Sequence, residues 1–130
     1  MTPEGLIILS CPRPPKEVMD RLVDSVTRHG MTIFARIDHA AGAKDVGMSL
    51  SPTEVLIFGN SKGGTPLMQA AQTLGIDLPL KALVWQDDAG KTWLGYNDPR
   101  WLATRHGVTG HEPQLDAMAN ALAAVAKEAC

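Results

Sequence analysis

The chain has 130 residues, of which 45% are hydrophobic and 20% charged, and these values are typical of one compact domain over residues 1–130. Twelve basic and fourteen acidic residues give a formal net charge of -2, so the sequence lacks the basic excess that binds nucleic acid or an anionic membrane surface. We therefore expect neither nucleic acid nor a membrane as a partner.

The N-terminal segment does not resemble a secretory signal, because its apolar run, Leu6–Leu9, is much shorter than the core that such signals need. No apolar run approaches the roughly 20 residues that cross a membrane as a helix. The two cysteines, Cys11 and Cys130, lack CxxC spacing, so we expect plain thiols in a cytoplasmic protein. The sequence alone leaves a bond between them open.

The first half of the chain predicts strands alternating with helices. Leu6–Leu9 is a short apolar strand, and the prolines that follow end it and prepare the start of a helix. Apolar residues recur at three- and four-residue spacing from Lys16 to Arg28, which predicts an amphipathic helix closed by Gly30. Residues 31–38 alternate apolar and polar side chains, as a strand with one buried face does. Residues 39–52 predict only a weak helix or an irregular segment.

The next part begins with residues 53–60, whose nearly continuous apolar character predicts an interior strand. A helix from Thr65 to Leu74 is predicted to follow, with Thr65 as its N-cap and Pro66 at its first helical position. Residues 80–96 predict two antiparallel strands, because the turn at 87–90 between them is too short for a parallel connection.

Two helices are predicted at the end of the chain. Asp98 and Pro99 have the residue types of an N-cap and a first helical position, and Gly107 closes that helix. The last helix is predicted over about residues 113–127, and its apolar stripe could pack on the sheet or on a second subunit. The order of elements indicates a mixed sheet with helices layered on one face.

The glycine-rich segment 59–65, GNSKGGT, is the first candidate site, because a glycine turn and a helix N-terminus present N–H groups that attract anions. Gly59 and Gly64 have the spacing of P-loop glycines, but Thr65 stands at the lysine position of that motif, which excludes nucleotide hydrolysis of that type. Asn60 and Lys62 supply more polar chemistry than a turn needs. The alternative is a local role, in which the glycines adopt unusual backbone angles and Thr65 caps the helix.

His39 is the second candidate, since it follows a strand at the mouth of a loop, where binding groups and acids or bases are often placed. His29 and His106 each precede a helix-closing glycine and are interpreted as partners of helix carbonyl groups. No pair of His or Cys residues has helical ligand spacing, so we expect neither a metal nor a cofactor. The sequence also lacks the usual signature of a serine or cysteine nucleophile.

Trp85 and Trp93 flank the predicted hairpin turn and come close together if they share one face of the sheet. Packing in the core or at a dimer interface is the simpler interpretation of this pair. A wall that stacks on a ligand is the alternative.

A series of short motifs occurs in a fixed order within about residues 16–108. They are ARIDHAAGA at 35–43, FGN at 58–60, GTPLM at 64–68, LPL at 78–80, VW at 84–85 and YNDP at 96–99. This series resembles the domain-of-unknown-function 302 family. The resemblance implies an α+β fold of the TATA-binding-protein-like class, with a curved, mainly antiparallel sheet packed against helices, and a homodimer. It implies no catalytic residue, and Ser61 and Gln72 replace common family prolines, which suggests a less rigid loop.

We therefore expect a protein that binds a small ligand, with an anion as one option, at the loop 60–65. The candidate ligand-binding residues are His39, Asn60, Lys62, Gly63, Gly64, Thr65 and Asn97. One alternative is a small-molecule enzyme that uses His39 as a general acid or base. The other is a structural or interaction module that uses the last helix as its partner face.

Overall fold

The computed structural model describes residues 2–130 and contains five strands and five α-helices. The strands are β1 (Leu6–Cys11), β2 (Thr32–Asp38), β3 (Thr53–Gly59), β4 (Leu80–Gln86) and β5 (Thr92–Asn97). The helices are α1 (Pro15–Arg28), α2 (His39–Asp45), α3 (Ser61–Ala70), α4 (Pro99–Arg105) and α5 (Glu112–Ala129). A short 3₁₀ helix, Gln72–Ile76, connects α3 to β4.

The strands form one sheet in the order β1-β5-β4-β3-β2, and every neighbouring pair is antiparallel. This confirms the α+β class and corrects the mixed sheet that the element order alone indicated. The interior position of β3 and the hairpin of β4 and β5 are also as predicted. At the lower end of the sheet, as we name it, β3 and β5 finish and β4 begins; the hairpin turn lies at the upper end.

Helices α1 and α5 cover one face of the sheet. The apolar stripe of α1, including Val18, Leu22 and Val26, is fully buried in a core with Leu56 and Leu94 of the sheet. The stripe of α5 enters the same core, so its apolar face is buried inside the domain rather than offered to a partner. A second buried cluster joins α3, the 3₁₀ helix, α4 and α5; its fully enclosed members are Leu67, Leu74, Leu102, Ala103 and Leu115.

The opposite face of the sheet belongs to neither buried cluster. Its larger apolar side chains follow from the register of the strands, and we call them the open sheet face: Leu6, Ile8, Ile37, Val55, Ile57, Leu83, Trp85 and Trp93. Most of them are half-buried, and Ile37 is exposed. Antiparallel sheets commonly leave one face without helices, but that face is then usually polar.

The expectation of two plain thiols is wrong, because Cys11 and Cys130 form a disulfide across a Cα–Cα distance of 4.7 Å. Cys11 ends β1 on the side that faces the helices, and the end of α5 reaches it there. The Arg13 guanidinium donates to the carbonyl oxygen of Cys130 at 2.7 Å and fixes the chain terminus beside β1. The cysteines therefore give no support for the expected cytoplasmic location.

Candidate functional site

The glycine-rich segment is the first turn of α3 rather than a loop before it. The helix begins at Ser61, and Asn60 is its N-cap, since the Asn60 side chain accepts a hydrogen bond from the Lys62 N–H at 2.9 Å. The predicted start at Thr65 is wrong, and so is the predicted end, because α3 finishes at Ala70. Asparagine is a preferred N-cap residue, so the sequence did contain a signal at Asn60, but Gly63 and Gly64 disfavour a helix interior and obscured it.

Gly63 and Gly64 lie within α3, and neither has a positive φ. The alternative in which they adopt unusual backbone angles is therefore wrong. Their importance lies instead in what they face. A Cβ added at Gly63 would lie 3.8 Å from the Met118 side chain, and one at Gly64 would lie 3.6 Å from Leu78. The first turn of α3 therefore presents bare backbone to side chains that line a cleft.

Most N–H groups of this turn already have partners. Besides Lys62, whose N–H is bound by the Asn60 side chain, Gly63 and Gly64 donate to the Asn60 carbonyl oxygen at 3.0 Å each. Lys62 itself is exposed and does not line the cavity described next. The geometry thus leaves few donors for an anion at a place where a helix start would normally offer several.

Beside Asn60 lies a cavity of about 130 Å³. It is formed by the start of α3, the beginning of β4, and single side chains of β2 and α5. Its lining is Phe34, Gly59, Asn60, Ser61, Gly64, Met68, Leu78, Pro79, Leu80 and Met118. Only Asn60 and Ser61 of this set carry polar side chains, so the cavity is predominantly apolar.

A second cleft of about 300 Å³ shares Asn60, Leu80 and Met118 with this cavity. Its other lining residues are His29, Met31, Gly63, Gln114, Ala117 and Ala121. We refer to the cavity and this second cleft together as the Asn60 cleft. Ligand sites in proteins are commonly apolar hollows of this size that contain a few polar groups.

The predicted site residues are only partly brought together. Asn60, Gly63 and Gly64 line the Asn60 cleft, whereas Lys62 and Thr65 lie on the exposed side of α3. Asn97 ends β5 at the same lower end of the sheet, with β4 between it and β3.

His39 lies at the upper end of the sheet. It begins α2, directly after Asp38, and Asp38 pairs with Glu54 near the start of β3. The length of β2 therefore separates His39 from Asn60 by about 20 Å. The cleft nearest to His39 is a different one of about 250 Å³, whose lining includes Arg36, Asp38 and Glu54.

The two tryptophans meet as predicted, and they do so on the open sheet face. Trp85 and Trp93 are register partners with ring centroids 6.5 Å apart and an interplanar angle of 22°. The Trp93 indole donates to the Asp87 carboxylate at 2.9 Å. That bond, followed by the one from the Lys91 N–H, holds the pKa of Asp87 below its ordinary range.

A third polar cluster was not predicted. His106 accepts or donates through both ring nitrogens: Nε2 lies 2.6 Å from an Asp77 carboxylate oxygen, and Nδ1 lies 2.8 Å from the Thr73 hydroxyl. Arg105 binds both oxygens of the same carboxylate, at 2.8 and 2.9 Å. His106 follows α4, where a role toward helix carbonyls was expected. It instead contacts Thr73 of the 3₁₀ helix and Asp77, which directly follows that helix.

The pKa of Asp77 is set by opposing influences. Burial is the largest and raises it, but the hydrogen bond from His106 and the charge of Arg105 outweigh burial and leave the pKa below its ordinary value. Asp77 is therefore an ionised carboxylate at neutral pH. No local pattern could have revealed this cluster, because Asp77 and Thr73 precede His106 by 29 and 33 residues.

Three comparisons with known proteins complete the description. A family model described as "Domain of unknown function DUF302" matches residues 7–129, a longer part of the chain than the motifs covered. The crystal structure of an uncharacterized conserved protein DUF302 from Bacillus stearothermophilus superposes with a TM-score of 0.86 at 18% identity, covering 98% of this chain and 99% of that chain. At this identity the match establishes the fold.

Two curated relatives carry the name fluoride-specific ion channel FluC 1. The proteins of Brucella suis and Brucella abortus are each 47% identical over 104 residues, or 80% of this chain. This chain spans only about two fifths of the length of these relatives, 41% and 38% respectively. Within residues 2–130, no helix is both long and apolar enough to cross a membrane.

Proposed function

This chain belongs to the DUF302 family, and from that premise we propose that it is a binding domain for a small molecule, with the Asn60 cleft as its site. The observation that carries the proposal is the position of two neighbouring hollows, of about 130 and 300 Å³, on either side of Met118. Both are bordered by the bare backbone of the first turn of α3. A predominantly apolar hollow with a few polar groups at its edge is the usual form of a small-molecule site.

The lining indicates the chemistry of the ligand. Methionine side chains at positions 31, 68 and 118 surround the cleft, and thioethers adapt to apolar molecules of different shapes. Asn60 and Ser61 can hydrogen-bond one polar group at the edge. We infer a compact ligand with an apolar or aromatic body and one polar end.

A neutral polar end fits this geometry better than an anionic one. The N–H groups of Lys62, Gly63 and Gly64 already have acceptors, and the Lys62 ammonium lies outside the cavity lining. An anion in the smaller cavity would therefore have little charge compensation, which costs free energy.

A matched pair of probes tests both site and charge. Benzyl alcohol and benzoate have similar bodies and differ in the charge of the polar end, so their affinities can be compared by calorimetric titration. We expect benzyl alcohol to bind more tightly. Asn60→Asp keeps an N-cap side chain but adds a negative charge, so it should weaken benzoate binding further and leave benzyl alcohol nearly unchanged.

Lys62→Gln is the control for the anion hypothesis. It should leave the binding of both probes unchanged, because Lys62 does not line the cavity. If Lys62→Gln abolished benzoate binding, the ligand would be anionic and held by the outer side of α3. If neither probe bound to the parent protein, the binding proposal in its present form would be rejected.

The alternative with His39 as a general acid or base stays a prediction. It concerns the charged cleft at the upper end of the sheet, where Arg36 donates to both oxygens of Glu54, at 2.9 and 3.0 Å. An activity that survived His39→Gln would contradict it. We prefer the Asn60 cleft as the site because its smaller cavity is predominantly apolar, whereas charged side chains line the cleft near His39.

A second proposal concerns assembly. We propose that a second copy of this chain covers the open sheet face, because its centre is apolar while charges lie at both ends of β4. Lys81 is at the lower end, and Asp88 is in the turn after the upper end. A two-fold arrangement with antiparallel β4 strands brings each Lys81 toward the partner's turn, where Asp87 and Asp88 outnumber Lys91.

The mass of the protein in solution tests this arrangement. Light scattering after size-exclusion chromatography should give a dimer for the parent chain and a monomer for Leu83→Glu, since Leu83 lies near the middle of the face. Thr104→Glu, on the exposed side of α4, is the control and should remain dimeric. A parent protein that stays monomeric over a wide concentration range would contradict the dimer.

A further inference from the structure

We propose that Thr73, His106 and Asp77 form a nucleophilic site, separate from the Asn60 cleft, at which the Thr73 hydroxyl accepts the acyl group of small activated carboxylic esters. The three side chains make a continuous relay of hydroxyl, imidazole and carboxylate, with distances of 2.8 and 2.6 Å. This arrangement resembles the relay of hydrolases in roles, although the chain lacks their sequence signatures.

The carboxylate determines the protonation of the ring. Asp77 is ionised and can only accept hydrogen bonds, so the Nε2 atom of His106 must carry the hydrogen. In the neutral ring the Nδ1 atom then has a free lone pair, which faces the Thr73 hydroxyl at 2.8 Å. His106 is thereby placed as a general base for Thr73, and Asp77 is a positioning residue.

The base and the carboxylate of the cluster are buried, whereas the hydroxyl is exposed, as a nucleophilic site requires. The side chains of His106 and Asp77 are only 8% and 16% exposed, which protects their hydrogen bonds from exchange with water. Thr73 is exposed, so an electrophile can reach its hydroxyl from solvent.

The 3₁₀ helix also places an apolar residue on the same side as Thr73. Ile76 lies three residues after Thr73 in the 3₁₀ helix, and residues with this spacing share one side of such a helix. It is 75% exposed, an unusual position for isoleucine. This surface favours short apolar acyl groups, such as acetyl or butyryl, over charged ones.

The reaction needs only the ester and water. The Thr73 oxygen bonds to the ester carbonyl carbon while its proton passes to Nδ1 of His106, and the proton then leaves with the alcohol as the ester C–O bond breaks. A water molecule next attacks the acyl-threonine by the same route. It releases the carboxylic acid and restores the Thr73 hydroxyl.

Turnover of p-nitrophenyl acetate by the full chain tests the proposal, with mass spectrometry of peptides to locate the acetyl group. We expect acetyl on Thr73, a loss of about 100-fold in rate for Thr73→Val, and substantial activity for Thr73→Ser. Thr104→Val is the control, since this exposed threonine donates only to the Arg100 carbonyl oxygen. Equal rates for Thr73→Val and the parent, or acetyl on other residues alone, would overturn the proposal.

Substitutions of Asp77 distinguish a role in positioning the His106 imidazole from a role in folding. The groups around the imidazole are Thr73 and Asp77, with Arg105 on α4 and Lys81 on β4 facing the carboxylate. Asp77→Asn should slow acetyl transfer to Thr73, because the amide no longer fixes the hydrogen on the Nε2 atom of His106. Asp77→Glu keeps a carboxylate and should recover part of the rate. Equal rates for Asp77→Asn and Asp77→Glu at matched free energies of unfolding would show a purely structural role for Asp77 and overturn its place in the relay.

Discussion

The two polar sites at the lower end of the molecule differ in where their hydrogen-bond partners come from. At the start of α3, Asn60 accepts hydrogen bonds from the N–H groups of residues two to four positions away. These N–H groups therefore serve the helix rather than a ligand. In the cluster of Thr73, His106 and Asp77, the partners come from separate elements. A conspicuous local motif can therefore serve the helix alone, while the relay of Thr73, His106 and Asp77 is assembled from residues far apart in the sequence.

Removal of Asp77 should have the largest effect on stability, because it leaves the buried His106 ring nitrogen without a partner. We expect Asp77→Ala to lower the free energy of unfolding by about 2 kcal/mol, the range for hydrogen bonds to a charged group. Urea denaturation monitored by tryptophan fluorescence measures this. A loss no larger than that of an exposed substitution would mean that the cluster contributes nothing to the fold.

Removal of the Asn60 cap should have a smaller effect. Asn60→Ala deletes the acceptor of the Lys62 N–H and should cost about 1 kcal/mol, whereas Asn60→Asp should restore most of it. The same denaturation experiment applies. If Asn60→Ala were as stable as the parent, the N-terminus of α3 would be held by the surrounding cleft rather than by its cap.

Acidification should remove the contribution of Asp77 gradually. Its pKa is lower in the folded chain than the ordinary value of 3.8, so the carboxylate stabilises the fold above that value and loses this effect as pH falls through the folded pKa. The stability difference between the parent and Asp77→Asn should therefore shrink below about pH 4. A difference that stayed constant down to strongly acidic pH would contradict the ionised state of Asp77.

Lys62→Gln should have the smallest effect, within about 0.5 kcal/mol, as for other exposed side chains outside special contacts. Comparing its free energy of unfolding with that of Asn60→Ala shows whether segment 59–65 stabilises the fold through the helix cap or through the charge of Lys62. A destabilisation as large as that of Asn60→Ala would indicate an electrostatic partner for Lys62.

Much of the fold was predictable because its signals are local. Apolar spacing identified α1 and α5, and the positions of Asp98, Pro99 and Gly107 delimited α4 nearly to the residue. The start of α3 was misplaced because Pro66 was interpreted as a first helical residue, whereas it lies inside the helix, where proline is normally disfavoured.

Long-range pairing explains what the sequence could not reveal. The disulfide joins residues 119 positions apart, and neither cysteine has a neighbouring signal for it. The sequence predicted part of the candidate site, since Asn60, Gly63 and Gly64 line the cleft. It did not predict the methionines and Leu80, most of which other elements of the fold bring to the cleft. The placement of His39 at the opposite end depended on strand direction, which a single sequence does not specify.

An NMR titration of ¹⁵N-labelled protein with benzyl alcohol tests the binding of a small apolar molecule in the Asn60 cleft most directly. We expect saturable shifts concentrated on the N–H groups of Gly63, Gly64, Leu80 and Met118, with little change at Trp85 and Trp93. Shifts that centred on the two tryptophans, or that never saturated, would contradict the Asn60 cleft as the binding site.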